Sequence, residues 1–278
     1  AVHRPGLDLL DELLRSEHTP YIQDRLALLL EPFPDRADWR ALDFGCGAGG
    51  SSTVLARLGI GHIIGVDLVN DYAAIWRRRL EEAGYAEVGT FVHSGESLRL
   101  PFRDGSFDAV FLNGVLEHLV PEERRDLLAE ARRLVRVGGY LFISETPNRW
   151  FPRNSHNKTW FSEMLPLNLA AHYVARFGMR RDFPVKGRTV LYRTGFRGLS
   201  VRQIRRFLGS NMSLVPSSER VSELEFTLPR TPFDASEGRA RAGGKLWQGV
   251  RRLARFGGIP PGYLAPHLNL VFQKSDHA

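Results

Sequence analysis

Residues 41–52, ALDFGCGAGGSS, set Gly45, Gly47 and Gly50 around the chain's single cysteine, Cys46, directly after an apolar run. The spacing satisfies G-x-G-x-x-G, a turn that lets the backbone come close to a nucleotide, and Asp67 follows twenty residues after Gly47. An acid there can accept both hydroxyls of a ribose. Two kinds of ligand fit this pattern. A dinucleotide would lay its pyrophosphate on the loop, where Asp43, two residues before Gly45, repels it. A nucleoside that carries positive charge, such as S-adenosylmethionine with its ammonium and sulfonium, reverses that sign. Asp43 can also serve as a turn or helix-capping carboxylate, and Asp67 suits either ligand.

Other side chains with chemistry to offer lie further along. His118 in LEHL and His156 in FPRNSHNKTW are the candidates for accepting a proton, and Glu145 closes an apolar strand. His172 reads as a packed or surface residue. With Cys46 as the only cysteine, an intrachain disulfide and a cysteine-based metal cluster are both excluded, and no metal site is expected. A reducing, cytoplasmic setting follows from the same count.

The elements that must position these residues alternate. RALDFG, HIIGVD, EVGTFVHS, FDAVFLNG and YLFISE have strand character, and SSTVLARLG, NDYAAIWRRRLEEAG and PEERRDLLAEARRLVRVGG have helical spacing between them. Two further helical stretches, LDLLDELLRS and YIQDRLALLLEPF, precede the first strand. This rhythm specifies an α/β fold with an open, doubly wound, mostly parallel sheet and ligands at the carboxyl ends of its strands. After Glu145 the rhythm breaks into an aromatic, turn-rich stretch, then FSEMLPLNLAAHYVARFG, helical but interrupted at Pro166, and later the helix GKLWQGVRRLARFG. Only HLNLVFQK near the end reads again as a core strand. The expected organisation is N-terminal helices over the cofactor site (1–40), a cofactor-binding core (41–149), a substrate-recognition lid insertion (150–262), and a closing strand with a tail (263–278).

Four segments in order, ALDFGCGAGGSS, IIGVDL, SGESLRLPFRDGSFDAVFLNGVLEHL and EARRLVRVGGYLFISETPNR, resemble class I S-adenosylmethionine-dependent methyltransferases of the kind found in ubiquinone and menaquinone biosynthesis. The resemblance covers 41–149 and does not extend clearly through 150–262. It implies a seven-stranded Rossmann-like sheet in the order 3-2-1-4-5-7-6 with the seventh strand antiparallel, and HLNLVFQK as that strand. It also implies roles by position. Asp43, Gly45, Cys46 and Gly47 form the loop around the methionine portion, Asp67 takes the ribose diol, and Leu68 packs on the adenine. Glu96 stands where the family has an aspartate that accepts from the adenine amino group, with the Ser97 backbone N–H beside it. Asn113 lies where the family contacts the methionine end and where the methyl group faces the acceptor.

At 278 residues, with 43% hydrophobic and 25% charged residues, the chain is long enough for one α/β core and a large extra segment. It carries no apolar run of spanning length and no leader pattern at its start. The net charge of +7 is concentrated: ten basic residues lie between Arg176 and Arg206 against Asp182 alone, a local net of +9. Such a stripe can be a solvated face, a pocket for an anionic acceptor, a peripheral membrane contact or a nucleic-acid surface, the last disfavoured. The expected activity is methyl transfer from S-adenosylmethionine to a small-molecule acceptor at oxygen, on a secondary metabolite, sugar or quinone-like compound. The alternative is an RNA, lipid or carrier-bound acceptor docked on 176–206, and an NAD-dependent oxidoreductase stands last because of Asp43.

Overall fold

The computed structural model describes residues 19–95, 97–154, 159–177, 188–193, 195, 197–224 and 239–276. The expected helix over 7–16, and with it most of the proposed N-terminal cover, lies outside them, as do Glu96 and His156.

Seven strands form one sheet in the order β3-β2-β1-β4-β5-β7-β6. They are β1 (Arg40–Phe44), β2 (His62–Asp67), β3 (Gly89–His93), β4 (Phe107–Asn113), β5 (Val135–Pro147), β6 (Met212–Leu214) and β7 (His267–Lys274). The first five run parallel, and β7 runs antiparallel to both β5 and β6. This is the order and the reversed seventh strand that the resemblance implied.

Alternation along the strands divides the core into two layers, because successive side chains of a strand leave opposite faces. Ala41, Ile63, Phe91, Ala109, Phe111, Phe142 and Val271 face one layer. It is covered by α1 (Thr19–Leu30), α2 (Gly50–Arg57), α3 (Tyr72–Glu82) and α8 (Pro216–Leu224). Leu42, Val110, Leu112, Leu141, Ile143, Leu270 and Phe272 face the other, under α4 (Pro121–Leu134) and α7 (Val201–Leu208). The sheet is therefore doubly wound. α4 carries acids in its first turn and arginines in its last, the arrangement that complements a helix dipole.

The stretch expected to be an insertion does not stand wholly outside this architecture. β6 and α7 both lie within 150–262, yet β6 forms the edge of the sheet and α7 packs against α4. Their brevity hid them: β6 has three residues, and α7 sits inside a run of arginines that reads as solvated surface. The excursion proper comprises α5 (Leu167–Phe177), α6 (Arg188–Arg193) and α9 (Arg239–Phe256). Pro166 separates a short 3-10 turn (Ser162–Met164) from α5, as the interruption predicts.

One packing device links the fold to the glycine loop. A Cβ at Gly49, Gly65 or Gly89 would come within 2.8, 2.6 or 2.4 Å of the Trp76 indole, which lies buried across all three positions. Its Nε1 donates to Ser52 Oγ at 2.9 Å. Glycine is needed at these positions for close approach, so Gly49 and its neighbours serve the core as much as the loop.

Candidate functional site

The carboxyl ends of β1, β2, β4 and β5 lie side by side, and the candidate residues gather there. Asp43 pairs in register with Gly65 and Phe111, and Asn113 pairs with Ser144. After β1 the chain turns on Gly45 (φ 75) and Gly47 (φ 52), both in the left-handed region that favours glycine. The Gly45 and Cys46 N–H groups both donate to Val66 O, at 2.7 and 3.1 Å. A Cβ at Gly45 would come to 2.8 Å from Val115 Cγ2, so the loop after β4 closes down on the loop after β1. Cys46 turns its side chain into the core and can offer a ligand only its backbone.

Asp43 has no exposed surface, and its Oδ2 accepts from Ser51 Oγ and Ser52 Oγ at 2.6 Å each. With Trp76 donating to Ser52, this chain of hydrogen bonds fixes the first turn of α2 under the loop. The Asp43 carboxylate is thus committed to the first turn of α2 and has no exposed surface.

Asp67 is half-buried at the end of β2. Its Oδ2 accepts from the Gly47 N–H at 2.9 Å and its Oδ1 from the Val69 N–H at 2.8 Å. Two backbone donors on opposite oxygens lock the carboxylate plane. Leu68 beside it is 62% exposed. Ser97 is exposed, and its hydroxyl holds its own turn by donating to Arg99 O at 2.9 Å and accepting from Arg99 N–H at 3.1 Å. Asn113 Oδ1 accepts from Ser144 Oγ, which leaves Nδ2 buried and without a hydrogen-bond partner. A buried donor of this kind costs free energy unless a ligand supplies an acceptor.

The residues present suit an adenosyl ligand: a glycine cradle that a Cβ would fill, an oriented carboxylate for a diol, an exposed apolar side chain beside it and a buried donor at the end of β4. Among the described residues no group of histidine, cysteine, aspartate and glutamate could hold a metal ion.

Glu145 was legible only as a strand-end acid, and its backbone adds information. Its φ is 59°, and together with Phe161 (φ 56°) it makes the pair of non-glycine residues with positive φ among those described. The pairing of β5 with β7 shifts register between Ile143 and Thr146, so Glu145 sits on a bulge, and its N–H donates to Asn269 Oδ1 at 3.2 Å. Asn269 is fully buried and clamped in turn by Ser222 Oγ at 2.9 Å. Such strain survives only where the surroundings hold it, and it concentrates at functional sites.

Past β5, Asn148 Nδ2 donates to Tyr263 O at 2.7 Å and Ala265 O at 2.8 Å, which ties the segment to the approach to β7. An isolated antiparallel bridge pairs Arg153 with Trp160. Around it Trp150, Trp160 and Phe161 are each about half exposed. Under it lies a buried polar network that the sequence did not reveal. Glu163 accepts from Asn154 Nδ2 at 2.8 Å and from the Gly198 N–H at 2.9 Å. Burial pushes its carboxyl up to about 7, against the pull of those two donors, Arg197 and Arg124. Burial likewise lowers the Arg124 guanidinium to about 10, while it donates to the carbonyls of Glu117, Arg197 and Gly198.

His118 ends a 3-10 turn after β4, and its Nδ1 lies 3.0 Å from Arg193 O, with Arg193 Nη1 donating back to His118 O at 3.1 Å. The ring thus links the β4 loop to α6. The basic segment is also split by its contacts: Arg193 pairs with Glu123 at 2.6 Å, Arg197 is buried, and Arg202, Arg205 and Arg206 line the exposed face of α7.

Comparison with known proteins agrees with this geometry. Residues 42–143 match the family model of a methyltransferase domain. The chain is 39% identical over 113 residues to a fatty-acid O-methyltransferase of Mycolicibacterium smegmatis, covering 40% of this chain and 38% of that protein. It is 40% identical over 106 residues to a demethylmenaquinone methyltransferase of Clavibacter sepedonicus, covering 38% of this chain and 40% of that one. The chain thus spans about two fifths of the length of these curated relatives. Over 91% of its length it superposes on 81% of the 4+2 cyclase SpnF with a TM-score of 0.53 at 20% identity, a likeness of fold.

Proposed function

We propose that this chain, whose residues 42–143 form a class I S-adenosylmethionine-dependent methyltransferase domain, methylates a hydroxyl of an apolar small molecule. S-adenosylmethionine is the cofactor of that domain class, and when bound it supplies an electrophilic methyl group on a sulfonium. The observation that carries the acceptor reading is the strained, half-buried Glu145 at the end of β5, on the same edge as Asn113.

The chain's own residues divide the work. The loop at Gly45–Gly47 and the Asp67 carboxylate hold the methionine and ribose portions, and Asp43 biases the loop toward a cationic ligand from below. Asn113 Nδ2 gains an acceptor. Glu145 receives the hydroxyl proton of the acceptor as its oxygen becomes nucleophilic, the task for which transfer to oxygen needs a base. Trp150, Trp160 and Phe161 supply apolar surface for the acceptor body and displace water from it. Most of the rate then comes from alignment of the reacting atoms.

The reading with a macromolecular acceptor on 176–206 has less support, because Arg193 and Arg197 are engaged within the fold. The experiment is a transfer assay with methyl-labelled S-adenosylmethionine against long-chain hydroxy and phenolic compounds, fatty acids and total RNA. Label in hydroxylated small molecules, lost in Glu145→Gln, is the expected result. Label in RNA alone would refute the proposal.

A further inference from the structure

The tip of α9 is built unlike the rest of the surface. Ala254 is 2% exposed and forms its packed side, and Arg251 Nη2 bonds Glu223 Oε2 at 3.1 Å, anchoring the helix to α8. The opposite side carries Leu253, 74% exposed, and Phe256, 96% exposed, followed by Ile259, 45% exposed. At 100° per residue, Arg255, Arg252, Phe256 and Leu253 occupy one continuous arc away from Ala254. Arg252 and Arg255 are both exposed. α5 repeats the combination: Leu169 and Phe177 are exposed, the tilted rings of Tyr173 and Phe177 lie 5.2 Å apart, and the Arg176 guanidinium stands 5.2 Å from the Phe177 ring centroid.

The geometry points to the α9 tip as a docking element for an anionic phospholipid bilayer. A fully exposed phenylalanine on a convex helix end buries little area against a flat protein surface, whereas it enters the acyl boundary of a bilayer without any matching groove. The interleaved arginines complement anionic headgroups, and their stems extend along the apolar zone. No helix among the described residues is long and apolar enough to cross a membrane, so the contact is peripheral.

The position of the tip gives the contact a purpose. Three residues separate Ile259 from Tyr263, whose carbonyl is held by Asn148 just past β5. Those four steps of chain span at most about 14 Å, so the tip lies within that reach of the residue that Asn148 holds just past β5. A bilayer held there would stand near the segment that leaves β5, and a membrane-dissolved acceptor would meet that part of the chain first. The docking inference itself is independent of the methyl-transfer reading.

The test is co-sedimentation of the full chain with vesicles of phosphatidylglycerol and phosphatidylcholine in equal parts, and with phosphatidylcholine alone. Binding to the mixed vesicles is expected, weakened by salt, and nearly absent on phosphatidylcholine. The double variant Leu253→Asp, Phe256→Asp should lose at least about tenfold in binding, since each side chain stops burying apolar surface. Arg252→Gln with Arg255→Gln should lose about fivefold per arginine. Arg202→Gln with Arg205→Gln on α7 should bind as the parent does. Unchanged melting temperatures would certify the fold of every variant, as all these residues are exposed. Equal binding by the Asp double variant, or loss only with the α7 variants, would overturn the proposal. So would a concentration-dependent dimer that the Asp double variant abolishes, which would make a second copy of the chain the true cover.

Discussion

Replacing Glu145 by glycine is expected to give a protein more stable than the alanine variant, reversing the usual order of the two residues. Both substitutions remove the carboxylate, and both keep the backbone N–H that donates to Asn269 Oδ1. They differ in what φ 59° costs. A residue with a Cβ in the left-handed region carries about 1–2 kcal/mol of strain that glycine does not. Glycine loses about 0.4–1 kcal/mol of this through the greater freedom of its unfolded chain. The net is about 0.5–1 kcal/mol in favour of glycine, or a melting temperature about 2 °C above that of Glu145→Ala in a chain of this size. Differential scanning calorimetry of the two variants measures it. Methyl transfer should fall in both while affinity for S-adenosylhomocysteine stays, which separates the acceptor side from the cofactor side. An alanine variant as stable as the glycine variant would mean that the backbone at 145 relaxes freely. The argument from strain to function would then fail.

Three further outcomes are expected. Asp67→Ala should weaken S-adenosylhomocysteine binding by about 2–4 kcal/mol, the scale of two lost charge-assisted hydrogen bonds, and lower the melting temperature, because Gly47 and Val69 lose their acceptor; titration calorimetry and a melt read the two effects. Burial raises the Glu163 carboxyl to about 7 from an ordinary 4.5, so the folded chain holds a proton that the unfolded chain has released between those values. The stability this proton contributes is fully present below about 4.5 and lost as pH rises through about 7; the difference in melting temperature between the parent and Glu163→Gln should therefore shift between pH 5 and pH 8, and a constant difference would refute it. His118→Ala should cost about 1 kcal/mol of stability by freeing Arg193 O, and leave the pH dependence of turnover unchanged, since the ring acts as a tether between the β4 loop and α6.

The fold was readable where local pattern and tertiary role coincide. The strands of the core carry continuous apolar runs because helices cover both faces, and the glycines after β1 mark the one turn that must be tight. HLNLVFQK is a strand by its pattern, but its reversed direction came only from the family resemblance. β6 escaped because three residues carry no period. The contact of the glycine loop with Asp67 was legible for the same reason: both lie within one βαβ unit, so spacing in sequence fixes spacing in the fold. Asp43 shows the limit of reading charge without contacts, since the serines that hold its Oδ2 were in view but their direction was not. Glu163 and Arg124 were not legible at all. Their environment is assembled from Asn154, Arg197 and Gly198, far apart in the chain, and FSEM and EERR read as ordinary surface. Asn269 left a signal that sequence reading passed over, a polar residue on an otherwise apolar strand.

The most direct test of the account is a calorimetric titration of the full chain with S-adenosylhomocysteine, and in parallel with NAD. One site of micromolar affinity for the adenosyl ligand, weakened in Asp67→Ala, with no heat from NAD, is the predicted result. Saturable binding of NAD with none of S-adenosylhomocysteine would contradict the account at its centre.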